Sequence, residues 1–241
     1  MQASNKGAPS AAAYTQALLA ARDGAIGVTV RCTPRRITRM LEVDGEVAFA
    51  KLRSKRPLDA EAEWRWLHEL PRLGLATPTP LGFLRIGRWT GLLTRALAGR
   101  TFDAWAQEAQ KEGQESVRKL CDFAVREVAP RVAALHRAGL VYRDLYWNHI
   151  VADAIGGAVA FLDVERVFRP RWRFERWRTK DLAGLASSYP GEVPLRFAVR
   201  FLRGYLAADP GAKLKKDALR QLLLRAAGKA RGIRSHAPKF G

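Results

Sequence analysis

The chain of 241 residues carries 42 Lys and Arg against 23 Asp and Glu, a formal net charge of +19, and 48% of it is hydrophobic. That length buries one good core or two small lobes, and the apolar content marks a globular chain. No uninterrupted apolar run is long enough to span a bilayer. The charge implies an anionic partner, nucleic acid or a phosphorylated membrane surface, but no basic stripe with recurring aromatics marks an RNA-binding motif. The opening MQASNKGAPSAAAYTQ lacks the charged-then-apolar order of a signal peptide, which predicts a cytosolic protein. Cys32 and Cys121 stand far apart without zinc-like spacing and read as reduced packing residues.

In chain order, residues 1–24 read as an N-terminal extension, disordered over 1–12, with a short helix over Tyr14–Arg22 ending before Gly24. Strands are predicted at Ile26–Arg31, Arg39–Val43 and Glu46–Lys51, with Asp44-Gly45 as the hairpin turn between the last two. Leu58–Leu70 is rich in helix formers, presents Trp64, Leu67 and Leu70 on one face, and has Asp59 placed to cap it. The proline-rich TPTP segment reads as an extended lead-in to strands, the second of them in Leu92–Leu97. Thr101 is placed to cap a helix over Phe102–Gln110. A long helix is predicted over Ser116–His136, kinked or divided at Pro130.

The most informative stretch runs from Leu135 to Asp163. A helix stops at Gly139, and a loop then presents Tyr142, Arg143 and Asp144. Two apolar runs, Ile150–Ala152 and Ala158–Leu162, flank a turn containing Gly156 and Gly157, the signal of a β-hairpin. One acid, Asp144, precedes the hairpin and another, Asp163, follows it, so the hairpin can return both to the same mouth. Carboxylates so placed suit phosphoryl transfer, one orienting the attacking hydroxyl and the other holding magnesium on the ATP phosphates.

Tyr142-Arg143-Asp144-Leu145, with Asp163 after the hairpin, resembles the catalytic loop and metal-binding Asp of the protein-kinase-like fold. YRDLYWNH followed by FLDVER, and later KDLAGL at Lys180–Leu185, resembles more narrowly the lipopolysaccharide kinase family (Kdo/heptose kinases), which phosphorylates heptose or Kdo sugars of the inner core. The resemblance implies an α+β, two-lobed fold: an antiparallel β N-lobe with one helix over 25–97, and a larger, mainly α C-lobe over 98–241 with a basic tail. It further implies ATP and Mg2+ as cofactors. Asp144 becomes the acceptor-orienting acid and Asp163 the metal ligand. Lys51, at the end of the alternating strand VAFAK, becomes the lysine on the nucleotide phosphates. A helix glutamate should pair with it; Glu63, in AEWRWL, matches the family pattern better, and Glu61 is the runner-up on another side of the helix. The backbone around Arg95 to Leu97 would meet adenine, and Asp181 would anchor the catalytic loop.

The sequence also departs from the wider kinase pattern. RCTPRRITRM replaces a glycine-rich loop, so arginine side chains would meet the phosphates. His149 stands where protein kinases place a metal-binding Asn, with Asn148 one step before; magnesium chemistry favours the amide oxygen and the resemblance favours His149. DVE replaces DFG, and Tyr142 replaces the usual His, as a packing residue. The run Arg166–Lys180 reads either as a basic surface with Trp172 and Trp177 packed inward, or as a platform on which a sugar stacks and arginines grip phosphate or carboxylate. Pro194–Ala208 and Leu214–Ala227 read as amphipathic helices with basic outer faces. The resulting expectation is a monomeric sugar kinase peripheral to the inner face of the cytoplasmic membrane, acting on inner-core glycolipid. The rivals are a small protein Ser/Thr kinase, a pseudokinase, and a nucleic-acid binder, which the unexplained acid pair disfavours.

Overall fold

The computed structural model describes residues 11–54, 57–153, 157–190, 194–208 and 216–236. Two units are distinct: residues 1–69 with 78–97, and residues 70–77 with 98–241.

The first unit is a five-stranded antiparallel sheet in the order β1-β2-β3-β5-β4, formed by β1 (Val28–Thr33), β2 (Arg36–Val43), β3 (Glu46–Arg53), β4 (Pro80–Ile86) and β5 (Trp89–Arg95). Asp44 and Gly45 turn β2 into β3 with φ of 52° and 85°, the two positive values that a tight, right-twisted hairpin requires. Helix α1 (Ala11–Arg22) opens two to three residues earlier than its apolar pattern suggested, and it is not a loose extension. Leu18 and Ala21 are fully buried on the sheet against Leu41, Val43, Ala48, Ala50, Leu52 and Leu93. Two glycines permit that approach, since a Cβ at Gly91 would lie 3.0 Å from the Leu18 side chain and one at Gly82 would lie 3.1 Å from Tyr14. Residues 1–10, where most of the expected disorder falls, lie outside the described residues.

Because strand side chains alternate, the apolar set of β2 and β3 that packs on α1 sends Met40, Phe49 and Lys51 to the other face. Edge strand β1 is exposed throughout, which places Cys32 in solvent rather than in packing, whereas Cys121 is buried. Helix α2 (Pro57–Arg72) begins with proline in its first turn, where the missing N–H costs nothing, so Asp59 sits inside that turn and not at the cap.

The second unit is mainly helical. Strand β6 (Arg100–Thr101) precedes helices α3 (Phe102–Glu112), α4 (Gln114–Phe123) and α5 (Ala129–Arg137) and pairs in a three-stranded sheet with β7 (Ile150–Ala152) and β8 (Val159–Phe161), after which come α6 (Phe174–Ser188), α7 (Leu195–Ala207) and α8 (Lys216–His236). Thr101 precedes α3 without a side-chain capping bond. The long helix predicted over Ser116–His136 is one run interrupted by a wider π turn at Ala124–Val128, immediately before Pro130. Proline has no N–H to offer, and widening the preceding turn absorbs the mismatch. The core gathers on Trp147, whose ring centroid lies 4.4 Å from that of Phe102 and 5.8 Å from that of Phe201.

Candidate active site

The hairpin forms in the predicted register: Ile150 opposes Phe161, Val151 opposes Ala160 and Ala152 opposes Val159. Of its turn, Gly156 lies outside the described residues. Directly after β8, Asp163 adopts φ of 56°, and a single tight turn, Val164–Arg166, follows. The returning strand is tied to the loop that precedes the hairpin, because the buried Tyr142 hydroxyl donates to the main-chain carbonyl of Leu162, the residue before Asp163. Tyr142 is therefore more than packing. It links the two acidic segments directly.

The loop is held from behind by one buried carboxylate. Asp181, 1% exposed on α6, accepts the N–H of Tyr142 at 2.6 Å and that of Arg143 at 2.8 Å. His136 Nε2 lies 3.2 Å from the same carboxylate, and its Nδ1 lies 2.8 Å from the Tyr205 hydroxyl. Arg143 sits at φ of 70°, a left-handed conformation that costs a residue with a Cβ and is held here by its surroundings. Further along α6, the Ser188 hydroxyl accepts the Trp147 N–H at 3.0 Å, and Gly184 leaves so little room that a Cβ there would lie 2.5 Å from the Leu145 carbonyl oxygen. Residues 181, 184 and 188 share a helix face by their three- and four-residue spacing, so one side of α6 forms the bed of the loop.

The Asp144 carboxylate, on this loop, receives Arg166 Nη1 at 2.7 and 2.9 Å. Its main-chain carbonyl accepts His149 Nδ1 at 2.8 Å. A carbonyl only accepts, so Nδ1 carries the proton, and in a neutral ring Nε2 has the lone pair. Asn148 is exposed. A carboxylate oxygen of Asp163 and one of Glu165 lie within 4.8 Å of each other, a pair of hard oxygen donors of the kind magnesium takes. Burial first, and then the Asp144 charge, raises the pKa of the Tyr146 hydroxyl.

In the first unit, Lys51 Nζ lies 2.5 Å from Glu63 Oε1. Glu63 is 1% exposed, and its second oxygen accepts Arg53 Nη2 at 2.8 Å. Between the two candidate glutamates, the structure brings Glu63 to the lysine and sends Glu61 outward to Arg85. Arg53 was not singled out from the sequence. Its signal was strand parity, because a residue two beyond Lys51 shares its face. That face also exposes Val28 and Met40, 64% and 40% accessible, an apolar surface beside the lysine. In place of a glycine loop, β1 and β2 join through a tight turn in which the Thr33 hydroxyl donates to the Arg36 carbonyl at 3.2 Å. Across the strands, Arg31 stands opposite Thr38, which stands opposite Lys51. The Arg95 side chain is committed to Glu46 at 2.7 Å, and its N–H donates to Thr79 at 2.9 Å, while the Ala96 N–H donates to Val47 at 2.9 Å. The N–H groups of Arg95 and Ala96 are thus spent on this unit's own carbonyls, and Leu97 follows them.

The profile of the lipopolysaccharide kinase (Kdo/WaaP) family matches residues 48–205. The chain belongs to that family. Two curated relatives are named lipopolysaccharide core heptose(I) kinase WaaP. One, from Pseudomonas aeruginosa, is 29% identical over 175 residues, 67% of this chain and 65% of the relative. The other, from Escherichia coli, is 29% identical over 194 residues, 73% of this chain and 70% of the relative. The match thus spans just under two thirds of the Pseudomonas protein's length. Among solved structures, WaaP in complex with acyl carrier protein superposes with a TM-score of 0.69 at 26% identity, covering 90% of this chain and 91% of that one. An aminoglycoside-3'-phosphotransferase of type VIII gives 0.61 at 20% identity, with 88% and 98% covered. The fold of this family member is protein-kinase-like, an antiparallel β unit and a larger helical unit.

Proposed function

We propose that the chain transfers the γ-phosphoryl group of ATP to a sugar hydroxyl, heptose or Kdo, of the lipopolysaccharide inner core. The observation that carries this reading is the tie from Tyr142 to Leu162, which fixes Asp163 and the Asp144 loop to one another, in a chain of the Kdo/WaaP family. Asp144 orients the acceptor hydroxyl and receives its proton as the oxygen attacks. Lys51, aligned by Glu63, binds the nucleotide phosphates, and Arg31 supplies charge that a glycine loop would have supplied through backbone N–H groups. The exposed apolar face around Val28 and Met40 takes the adenine ring, and of the Arg95 to Leu97 main chain it is the Leu97 N–H and the carbonyls that meet its polar edge, since the other two N–H groups are spent. Magnesium fits the oxygen pair of Asp163 and Glu165 and supplies neutralisation of the phosphate charge when bound. His149, with Nε2 left for a ligand, stands at the second metal position.

Among the described residues no helix is long and apolar enough to cross a membrane. The chain acts at the inner face of the cytoplasmic membrane, as a peripheral monomer, with its net charge of +19 attracting it to anionic lipid. Acyl carrier protein, the partner of the solved WaaP, is proposed as a partner here as well. In the second unit a cavity of about 390 Å3, lined by Trp147, Leu185, Phe197, Phe201 and Ala226, is apolar enough for an acyl chain, and the basic surface suits an acidic carrier.

The test incubates purified protein with labelled Mg-ATP and either inner-core glycolipid or protein acceptors. Label enters the glycolipid alone, with a phosphate-sized mass gain, and Asp144→Ala abolishes it. Unchanged transfer by that variant, or label on protein only, refutes the assignment.

A further inference from the structure

Several positive side chains of the second unit gather near Trp177 and Asp144. Lys180, a residue before the loop-anchoring Asp181, is half-buried with Nζ 5.5 Å from the Trp177 ring centroid. The guanidinium of Arg143 lies 5.5 Å from the same centroid and 5.7 Å from that of Phe168, whose ring meets Trp177 edge to face. Among the described residues, neither Arg143 nor Lys180 has a carboxylate within ion-pairing distance, and Arg143 Nε is buried with no hydrogen-bond partner. The nearby acid, Asp144, is already engaged by Arg166 through both oxygens. The Lys180 ammonium is pushed below the ordinary lysine range by burial first, then by the positive charges of Arg143, Arg166 and Lys229, with Asp144 alone offsetting them. Positive charges thus predominate around Lys180 and close to Asp144, because the neighbouring Asp181 carboxylate is buried and spent on the loop N–H groups. Unpaired cations so close to one another repel, and a bound oxyanion is what relieves them.

We propose that Arg143, Lys180 and Arg166, with Trp177 as their floor, form a subsite for an oxyanion already present on the acceptor glycolipid, a sugar carboxylate or a phosphate ester, adjoining the hydroxyl held by Asp144. The inference rests on the kinase reading above and adds the acceptor's charge requirement to it. The assignment differs from a general basic surface. Trp172, packed inward in one of the two readings of this run, is 71% exposed, whereas the cations at issue are gathered around the partly buried Trp177. Arginine and lysine stacked on an indole keep their N–H groups directed outward for a ligand, and the ring limits their motion.

The experiment measures binding without ATP, using the full chain at low salt. Extracted inner-core glycolipid is titrated intact, after removal of its phosphates with hydrofluoric acid, after reduction of its carboxylates, and after both treatments. Wild-type protein is expected to bind the intact form about tenfold more tightly than Lys180→Gln, a loss of one charge-assisted contact. Whichever single treatment erases that difference names the anion. Lys229→Gln, on the exposed outer side, loses less, and melting curves verify that both variants are folded. Equal binding of intact glycolipid by wild type and Lys180→Gln overturns the subsite, as does a tenfold difference that survives both treatments together. Phosphate transfer is assayed separately. A binding difference without any transfer supports the subsite and refutes the kinase reading, whereas transfer with no binding difference refutes the subsite alone.

Discussion

Replacing Asp181 by alanine should be the most informative single test of what holds the loop that carries Asp144. The carboxylate is fully buried and accepts two backbone N–H groups, those of Tyr142 and Arg143, with His136 as a third partner. Each donor left unpaired in the interior costs about 1–3 kcal/mol, so two of them, with some relaxation, cost about 3–5 kcal/mol. For a chain of this length, 1 kcal/mol corresponds to about 2–4 °C in melting temperature, which puts the expected loss at about 6–20 °C. Asp181→Asn retains one carbonyl oxygen but turns an amide NH2 toward the other donor. It should melt nearer to wild type and still displace the loop, lowering kcat about 10–100-fold. Calorimetry with parallel Mg-ATP transfer assays measures both quantities. Asp181→Ala melting within about 2 °C of wild type, or Asp181→Asn with wild-type kcat, would refute the claim that this side chain holds the loop.

Other changes separate chemistry from folding. Lys51→Met should abolish transfer while moving the melting temperature little, because Glu63 keeps Arg53 as its partner. Glu63→Gln is expected to do the reverse in stability, because it removes the buried carboxylate on which Lys51 and Arg53 converge, costing about 3–5 kcal/mol by denaturant titration. Gly184→Ala drives a Cβ to 2.5 Å from the Leu145 carbonyl, so kcat should fall more than the KM for ATP rises. Gly99→Ala meets backbone on two counts, a φ of 97° and a Cβ 2.1 Å from the Ala152 carbonyl oxygen, and should yield little soluble protein.

The parts of the fold that were legible in the sequence are those whose signals are local. The Asp44-Gly45 turn and the hairpin over Ile150–Phe161 each carry their own glycine chemistry and alternation, so their strands paired as expected. The helix over Ser116–His136 was legible in length, but its widened turn is a response to Pro130 that no hydrophobic period reports. At the site, the resemblance pointed to Lys51 and preferred Glu63 to Glu61 as its partner, and burial agrees, because Glu63 turns inward to the lysine while Glu61 reaches Arg85. Arg53, and the pairing of Arg166 with Asp144, escaped notice because basic residues abound in this chain, and a pattern of types does not show which guanidinium finds a carboxylate 10 or 22 residues away. The Arg95 N–H was equally opaque, since a bond to Thr79 is decided by how two strands meet and leaves no mark on residue identity.

One further consequence follows from the loop's backbone. Arg143 and Asp163 both hold left-handed conformations, at φ of 70° and 56°, and each costs about 1–2 kcal/mol in a non-glycine residue. Glycine at either position would remove that cost, yet it would also remove a charge that the proposed chemistry uses. The strain is offset at Arg143 by the two hydrogen bonds to Asp181 and at Asp163 by the tie from Tyr142 to the preceding carbonyl. The conformations that aim Asp144 and Asp163 are therefore imposed by neighbours on α6 and in the loop itself. A substitution that loosens those neighbours should lower the rate before it lowers the affinity for either substrate.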